Sequence, residues 1–298
     1  MSSTRKSGCK VWLRSLIWTA LSCLFFGTAA SAANPGKGCR TISGVERITH
    51  APGVFVGDMH GTVEAPAFAT ALVCDLLRSD RGVMLALEYP SSEQHYLEEF
   101  LRAGTDKPSS ALLASPFWSR ATQDGPTSRA MLSLLDWVRR QIASGARIRV
   151  VAFDSLPPGT PNGTARIDAR DEAMAIYLRQ ELAKLTPGEF PIVLSGNVHV
   201  RKTIGWPFLN APPGAEAAEP LGYRLKDLGY LHLNIGYPGG SLWTCVAPAS
   251  CGVQQGAEPG PRVRSFSIGP SADPAYGAVY FVGPLTASPP AADLPTGK

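Results

Sequence analysis

Gly57-Asp58-Met59-His60-Gly61-Thr62-Val63-Glu64-Ala65-Pro66 is the stretch that decides how this chain is read. It follows an apolar run, Val54-Phe55-Val56, and leads into a helical pattern that opens near Glu64. The segment is therefore a strand-to-helix turn carrying Asp58, His60 and Glu64 together. In open α/β sheets the ligand crevice lies outside the carboxyl ends of the strands, so polar residues just past a buried strand are the first candidates for a site.

The same register recurs downstream. Apolar strands are expected over Gly53–Gly57, Val83–Leu87, Arg147–Phe153 and Pro191–Leu194, and helical stripes over Glu64–Arg78, Ser128–Ala143 and Ile167–Leu185. Ser91 to Gln94 resembles a capping box opening a further helix with Leu97, Phe100 and Leu101 on one face. Each strand ends on a polar group: Asp58 and His60, then Glu88, then Asp154, then Asn197 with His199. Alternating strands and helices imply an α/β fold with a mixed, largely parallel sheet flanked by helices. Additional C-terminal strands, Leu228–Ile235, Leu242–Val246, Val263–Ile268 and Ala275–Val282, are expected to extend it.

Residues 1–32 read as a signal peptide that is removed, with Arg5, Lys6, Lys10 and Arg14 ahead of an apolar run from Leu16 to Phe26 and with Ala30-Ser31-Ala32 at the cleavage point. That run is shorter than the roughly 20 residues a membrane-spanning helix needs, and no later run is longer. The leader carries four basic and no acidic residues, so the formal net charge of +4 falls to about zero without it. Clustered Lys and Arg of the kind that bind nucleic acid are missing. Residues 33–282 are expected to form one domain and 283–298 a disordered tail. The expected location is outside the cytoplasm, in a bacterial periplasm, where Cys245 with Cys251 and Cys39 with Cys74 would form disulfides. The Pro- and Gly-rich stretch Gly205–Gly222 reads either as a lid over the site or as a surface insertion.

Two imidazoles on separate strand ends, with carboxylates beside them, can pass a proton or hold a divalent metal. The candidate catalytic residues are His60, Glu88, His199, Asp58 and Arg170; the candidate metal ligands are His60, Glu88, His199 and Asp58. Glu64 is either part of the site or an acid favoured in a first helical turn. Asp171 reads as a neighbour of Arg170 or a cap. His50, His95 and His232 lack such a context. Gly-x-Ser-x-Gly, phosphate loops and dinucleotide fingerprints are not present, and neither is Cys-x-x-Cys.

Taken in order, GDMHGTVEAP, LEYP, ARDEAMA and GNVHVRK resemble the superfamily that joins ChaN-like haem-uptake proteins, TIKI-type metalloproteases and erythromycin esterases, over about Val54 to Lys202. The resemblance implies a sheet between helices with its site at the strand ends. In esterase-like members the first-motif His is a general base, which here would be His60 helped by Asp58. The second-motif acid would be Glu88, the Arg-Asp helix start Arg170 and Asp171, and the later His would be His199. TIKI-like members hold a divalent metal with related residues, and ChaN-like members bind haem. The expectation is thus an exported hydrolase of an ester or amide, in a small-molecule or peptide substrate, with or without a divalent metal. The alternative is a periplasmic haem- or metal-binding uptake protein.

Overall fold

The apolar run ahead of the His60 turn is strand β1 (Val54–Asp58), preceded by one short helical turn, α1 (Glu46–Thr49), and every residue of β1 is buried. The computed structural model describes residues 40–105, 108–156, 164–206, 214–247, 250–256 and 267–292. After β1 come α2 (Glu64–Arg78), β2 (Gly82–Pro90), α3 (Gln94–Arg102) and α4 (Ser110–Leu113). Then follow α5 (Arg129–Ala143), β3 (Ile148–Asp154), α6 (Thr164–Leu182), β4 (Glu189–Gly196) and α7 (Leu221–Arg224). The remainder is strand: β5 (Leu231–Gly236), β6 (Gly240–Ala247), β7 (Ser250–Gly256), β8 (Ile268–Pro270) and β9 (Ala278–Phe281).

Seven strands form one sheet in the order β3-β2-β4-β1-β5-β9-β8. All pairings are parallel except β8 against β9, as expected for a mixed, largely parallel sheet. Parallel strands are buried on both faces, and this is why β1 and β2 read as unbroken apolar runs. Side chains alternate between the faces. Val54, Val56, Val83, Leu85 and Leu87 pack with Phe68 and Leu72 of α2 and Leu135 of α5. Phe55, Met84, Ala86 and Val193 pack with Met174, Leu178 and Leu182 of α6. Because β4 lies between β1 and β2, the ends of all three open on one crevice.

Some expectations are corrected. Leu242–Val246 does not extend the sheet: among the described residues β6 forms a separate antiparallel hairpin with β7, closed by the expected Cys245–Cys251 disulfide, and its first residue, Gly240, also bridges Leu285. The hairpin docks on the His60 turn, where Trp243 N–H donates to Gly61 C=O at 2.9 Å. Ser91–Glu93 makes one tight turn without a side-chain cap. The buried Glu93 carboxylate instead accepts from Ser115 Oγ at 2.5 Å and Phe117 N at 3.0 Å. The disordered tail expected from Gly283 is ordered as far as Ala292. It lies across the site turn and the start of α5, with isolated bridges Thr62 to Ala287 and Ser128 to Pro290. Its composition is that of a tail, but its backbone finds partners: Ser288 N–H bonds Gly61 C=O at 2.8 Å and Arg129 N–H bonds Pro289 C=O at 2.8 Å.

The leader, most of the expected Val263–Ile268 strand, the centre of the Gly205–Gly222 stretch and residues 293–298 lie outside the described residues. Cys74 is disulfide-bonded. Cys39, its expected partner, lies outside the described residues.

Candidate active site

Asp58 closes β1, and the chain turns through Met59, His60 and Gly61 before α2 begins. Gly61 has φ +77, and a Cβ there would lie 1.9 Å from Trp243 O, so only glycine serves. Thr62 Oγ1 donates to Met59 C=O at 2.9 Å and tightens the turn. The result is a short, fixed lever that swings His60 back over the end of its own strand. His60 Nδ1 lies 3.0 Å from Asp58 Oδ2, and its Nε2 faces Glu88 Oε2 at 3.4 Å.

Glu88, near the end of β2, is the hub. Its side chain is 6% exposed, and a bare carboxylate there would be costly. Oε2 accepts from Ser195 Oγ at 2.6 Å and from Gly196 N–H at 2.7 Å. Oε1 accepts from Arg170 Nη2 at 2.6 Å. Arg170 comes from α6 and is held in turn by Asp154 at the end of β3, through Nε at 3.2 Å and Nη2 at 2.8 Å. Its Nη1 lies 3.0 Å from His199 Nε2. His199 Nδ1 is 2.6 Å from Asp171 Oδ1, an oxygen that also accepts Leu221 N–H at 3.0 Å. Two Asp-backed imidazoles therefore meet at one glutamate.

The two histidines are not equivalent. A guanidinium can only donate, so His199 Nε2 accepts from Arg170 and the ring's proton sits on Nδ1 toward Asp171. Burial and Arg170 oppose a charge on His199, but Asp171 and Glu88 outweigh them and hold the imidazole above its ordinary value; in its neutral form Nε2 accepts from Arg170 and Nδ1–H donates to Asp171. His199 is also shut in at 5% side-chain exposure, with Trp206 edge-on at 5.3 Å, whereas the His60 side chain is 32% exposed. Burial works against a charge on His60, but Glu88 and Asp58 outweigh it and hold the imidazole well above its ordinary value. Glu88 is held well below the usual carboxylate range; burial opposes this, and His199, Arg170 and His60 overcome it.

All five candidate residues, His60, Glu88, His199, Asp58 and Arg170, are thus brought together. Glu64 is not part of the cluster, since its Oε2 accepts Thr286 N–H at 3.0 Å and tethers the C-terminal strap. Asp171 takes a larger part than its place beside Arg170 suggested, as the partner of His199. Ser195 is no nucleophile but a fully buried anchor for Glu88. The signal for both was adjacency: Arg170-Asp171 on one helical turn serve Glu88 and His199, and Ser195-Gly196 offer consecutive donors at the end of β4.

The donor set does not fit a divalent cation. Asp58 spends Oδ2 on His60 Nδ1, the nitrogen turned away from Glu88, and the Arg170 guanidinium stands between Glu88 and His199, occupying the positions a cation would take. Among the described residues no group of three or more His, Cys, Asp or Glu side chains is placed to hold a metal. His199 and Tyr89 offer no haem ligand, because the His199 Nε2 is taken by Arg170 and Tyr89, beside Glu88, is 1% exposed.

Neither a family model nor a curated protein matches the sequence. Among solved structures, the chain is similar to a variant of the erythromycin esterase EreC in its open conformation, with 13% identity and a TM-score of 0.60 over 84% of this chain and 94% of that one. A succinoglycan biosynthesis protein matches at 11% identity and a TM-score of 0.60, over 82% of this chain and 90% of its own. A Bacillus cereus protein matches at 13% and 0.59, over 82% and 92%. Likeness at such identities is one of fold. The chain adopts the α/β fold of the erythromycin esterases, as the order of its motifs led us to expect.

Proposed function

We propose that this protein is a hydrolase in which His60 is the general base that activates water against an ester or amide carbonyl. The observation that carries the reading is the asymmetry of the two dyads. His60 is oriented by Asp58 at Nδ1 and is partly exposed, while the Nε2 of His199 is taken by Arg170 and the ring is enclosed. A base must reach its proton, and only His60 can. One of the similar structures is an erythromycin esterase variant, which supports an ester as the substrate class of this reading.

In the reaction, water loses a proton to His60 Nε2 as its oxygen bonds to the carbonyl carbon, and the carbonyl electron pair moves onto oxygen. Collapse of that intermediate breaks the bond to the alcohol or amine, which leaves with the proton from His60. Asp58 holds the ring and stabilises the imidazolium. Arg170, its charge balanced by Glu88 and Asp154, fixes Glu88 and His199 and supplies the positive charge next to the crevice. Catalysis runs without a metal, since the residues present do not accommodate one. We further read residues 1–32 as a leader removed on export, with 33 onward as the working domain, in a compartment that sustains the Cys245–Cys251 disulfide. No helix among the described residues is long and apolar enough to cross a membrane.

The test is turnover of a panel of p-nitrophenyl esters, lactones and anilides by the protein from residue 33 onward and by its His60→Ala variant. Removal of the base is expected to lower kcat by about 10²–10⁴. The variant takes the imidazole away from two buried carboxylates, so its fold is checked by circular dichroism and turnover is compared between folded proteins. Equal turnover by the two proteins would refute the assignment.

A further inference from the structure

Asp58 uses one oxygen on His60; the other, Oδ1, is buried and has no hydrogen-bond partner among the described residues. Of the other buried polar atoms in that condition among the described residues, three belong to residues linked to this side of the sheet: Tyr89 OH, Trp118 Nε1 and Gln123 Oε1. Their residues are between 0% and 5% exposed, so none of the four atoms reaches bulk solvent. Buried polar atoms left unmatched are rare, and an unmatched oxygen of the Asp58 carboxylate with three more such atoms on its side of the sheet calls for a physical explanation.

They occupy one corner. Strand alternation sends Asp58 and Tyr89 to the α2 and α5 side of the sheet, whereas Glu88 faces the α6 side. The Trp118 ring stands edge-on to Tyr89 with centroids 6.0 Å apart, and Gln123 Nε2 donates to Trp118 C=O at 2.9 Å. Gln123 C=O accepts from Trp243 Nε1 at 2.9 Å, on the hairpin whose backbone is bonded to Gly61. The Asp58 charge acts on the Tyr89 phenol, which burial already pushes upward and Arg120 pulls back. The chemistry of the four is complementary: Tyr89 O–H and Trp118 N–H donate, Asp58 Oδ1 and Gln123 Oε1 accept. A ligand that matches them must accept two hydrogen bonds and donate two in a space closed to solvent, and a single water molecule does this.

We propose that Asp58, Tyr89, Trp118 and Gln123 form an internal water site, and that Tyr89 is a positioning residue which acts through that water to set how strongly Asp58 draws on His60. The proposal rests on His60 being the base, but its test can be read separately. Donors on Oδ1 share the carboxylate's charge, and removing one leaves more of it for the imidazolium. The charged groups facing His60 are Asp58 from β1 and Glu88 from β2, with Arg170 behind Glu88; the charged groups acting on Tyr89 are Asp58 and Arg120. Tyr89→Phe changes neither His60 contact and leaves all other charged groups in place.

The experiment is nitrogen-detected NMR titration of His60 in the protein from residue 33 onward and in Tyr89→Phe and Trp118→Phe, with water-to-indole cross-relaxation at Trp118 Nε1–H and the pH profile of kcat recorded alongside. The proposal expects a long-lived water signal at the Trp118 indole in wild type, weakened in Tyr89→Phe. It also expects the His60 titration and the acid limb of kcat to rise by about half a unit to one unit. Trp118→Phe, which removes only the N–H donor from the ligand set, should move His60 the same way. The His60 shift seen in a protein that cleaves no ester or amide would sink the hydrolase reading and keep the water site. An unchanged His60 titration in both folded variants, or no water signal at Trp118, would overturn the proposal whatever the activity.

Discussion

Replacing Glu88 by Gln separates its two jobs, holding the cluster and charging His60. The variant keeps the shape of the side chain, so the apolar packing of β2 is untouched. It replaces a carboxylate that accepts from Arg170 Nη2 at 2.6 Å, Ser195 Oγ at 2.6 Å and Gly196 N–H at 2.7 Å. Whichever way the amide turns, its NH₂ meets a donor, so at least one of these contacts becomes repulsive. Removing one partner of a buried ion pair costs about 3–5 kcal/mol. Arg170 retains Asp154, which accepts at 2.8 and 3.2 Å, so its charge is not left alone and the lower end, about 3 kcal/mol, is expected. In a domain of this size that is a fall in Tm of roughly 6–12 °C. The pH dependence has a definite sign. Glu88 is depressed when folded, so its stabilisation is present above the ordinary carboxylate value and disappears as pH falls through the depressed one. His60 is raised when folded, so its stabilisation is complete below the ordinary imidazole value and is lost as pH climbs through the raised one. The stability gap between wild type and Glu88→Gln should therefore be widest between these limits and narrow on both sides. Glu88 is the strongest pull holding His60 up, so the acid limb of kcat should move to lower pH in the variant. Urea unfolding followed by tryptophan fluorescence across pH, with kcat measured on the same samples, tests both. A variant within about 1 kcal/mol of wild type at neutral pH, or an acid limb that does not move, would refute the reasoning.

Truncation after Gly283 should not be silent, because it removes the strap whose Ser288, Thr286 and Pro289 backbones hold Gly61, Val63 and Arg129. At about 0.5–1.5 kcal/mol for each hydrogen bond, and with Leu285 buried at 3%, a loss above about 3 kcal/mol together with lower kcat is expected by calorimetry and rate measurement. Gly61→Ala, at φ +77 with a Cβ 1.9 Å from Trp243 O, should cost more than about 3 kcal/mol and loosen the hairpin. Gly145→Ala, at φ +93 in open space, should cost only the backbone strain of about 1 kcal/mol. Equal costs at the two glycines by chemical denaturation would show that the hairpin contact contributes nothing.

The sheet was legible because buried parallel strands and their crossover helices leave two strong periodicities, and Glu64–Arg78 came out with the boundaries of α2. The hairpin was not. Leu242–Val246 alternates like any strand, and nothing local says whether its partner is the main sheet or its own neighbour; the pairing is decided by docking on Gly61. The strap from Pro284 was misread for the opposite reason. Its Pro, Ala and Ser carry no periodicity, but isolated backbone donors and acceptors on the His60 turn and at the start of α5 hold it in place. Composition reports what a segment can bury, and this one is held by what it can bond.

The site shows the same division. That Asp58, His60, Glu88, Arg170 and His199 meet follows from their common place at strand ends and on the helix between β3 and β4. Which imidazole can act does not. On paper His60 and His199 are symmetric: each has an aspartate partner, and each approaches Glu88, at 3.4 and 3.5 Å. The symmetry is broken by a third group from another element, the Nη1 of Arg170, which reaches His199 and leaves His60 alone. It reaches that far because Asp154, at the end of β3, holds Nε and Nη2 on the opposite side. A guanidinium oriented in this way neutralises Glu88, fixes the His199 tautomer and excludes a second cation at once. One arginine thereby occupies the Nε2 of His199 and leaves His60 with the more exposed ring, and that difference is the ground on which His60 is proposed as the base.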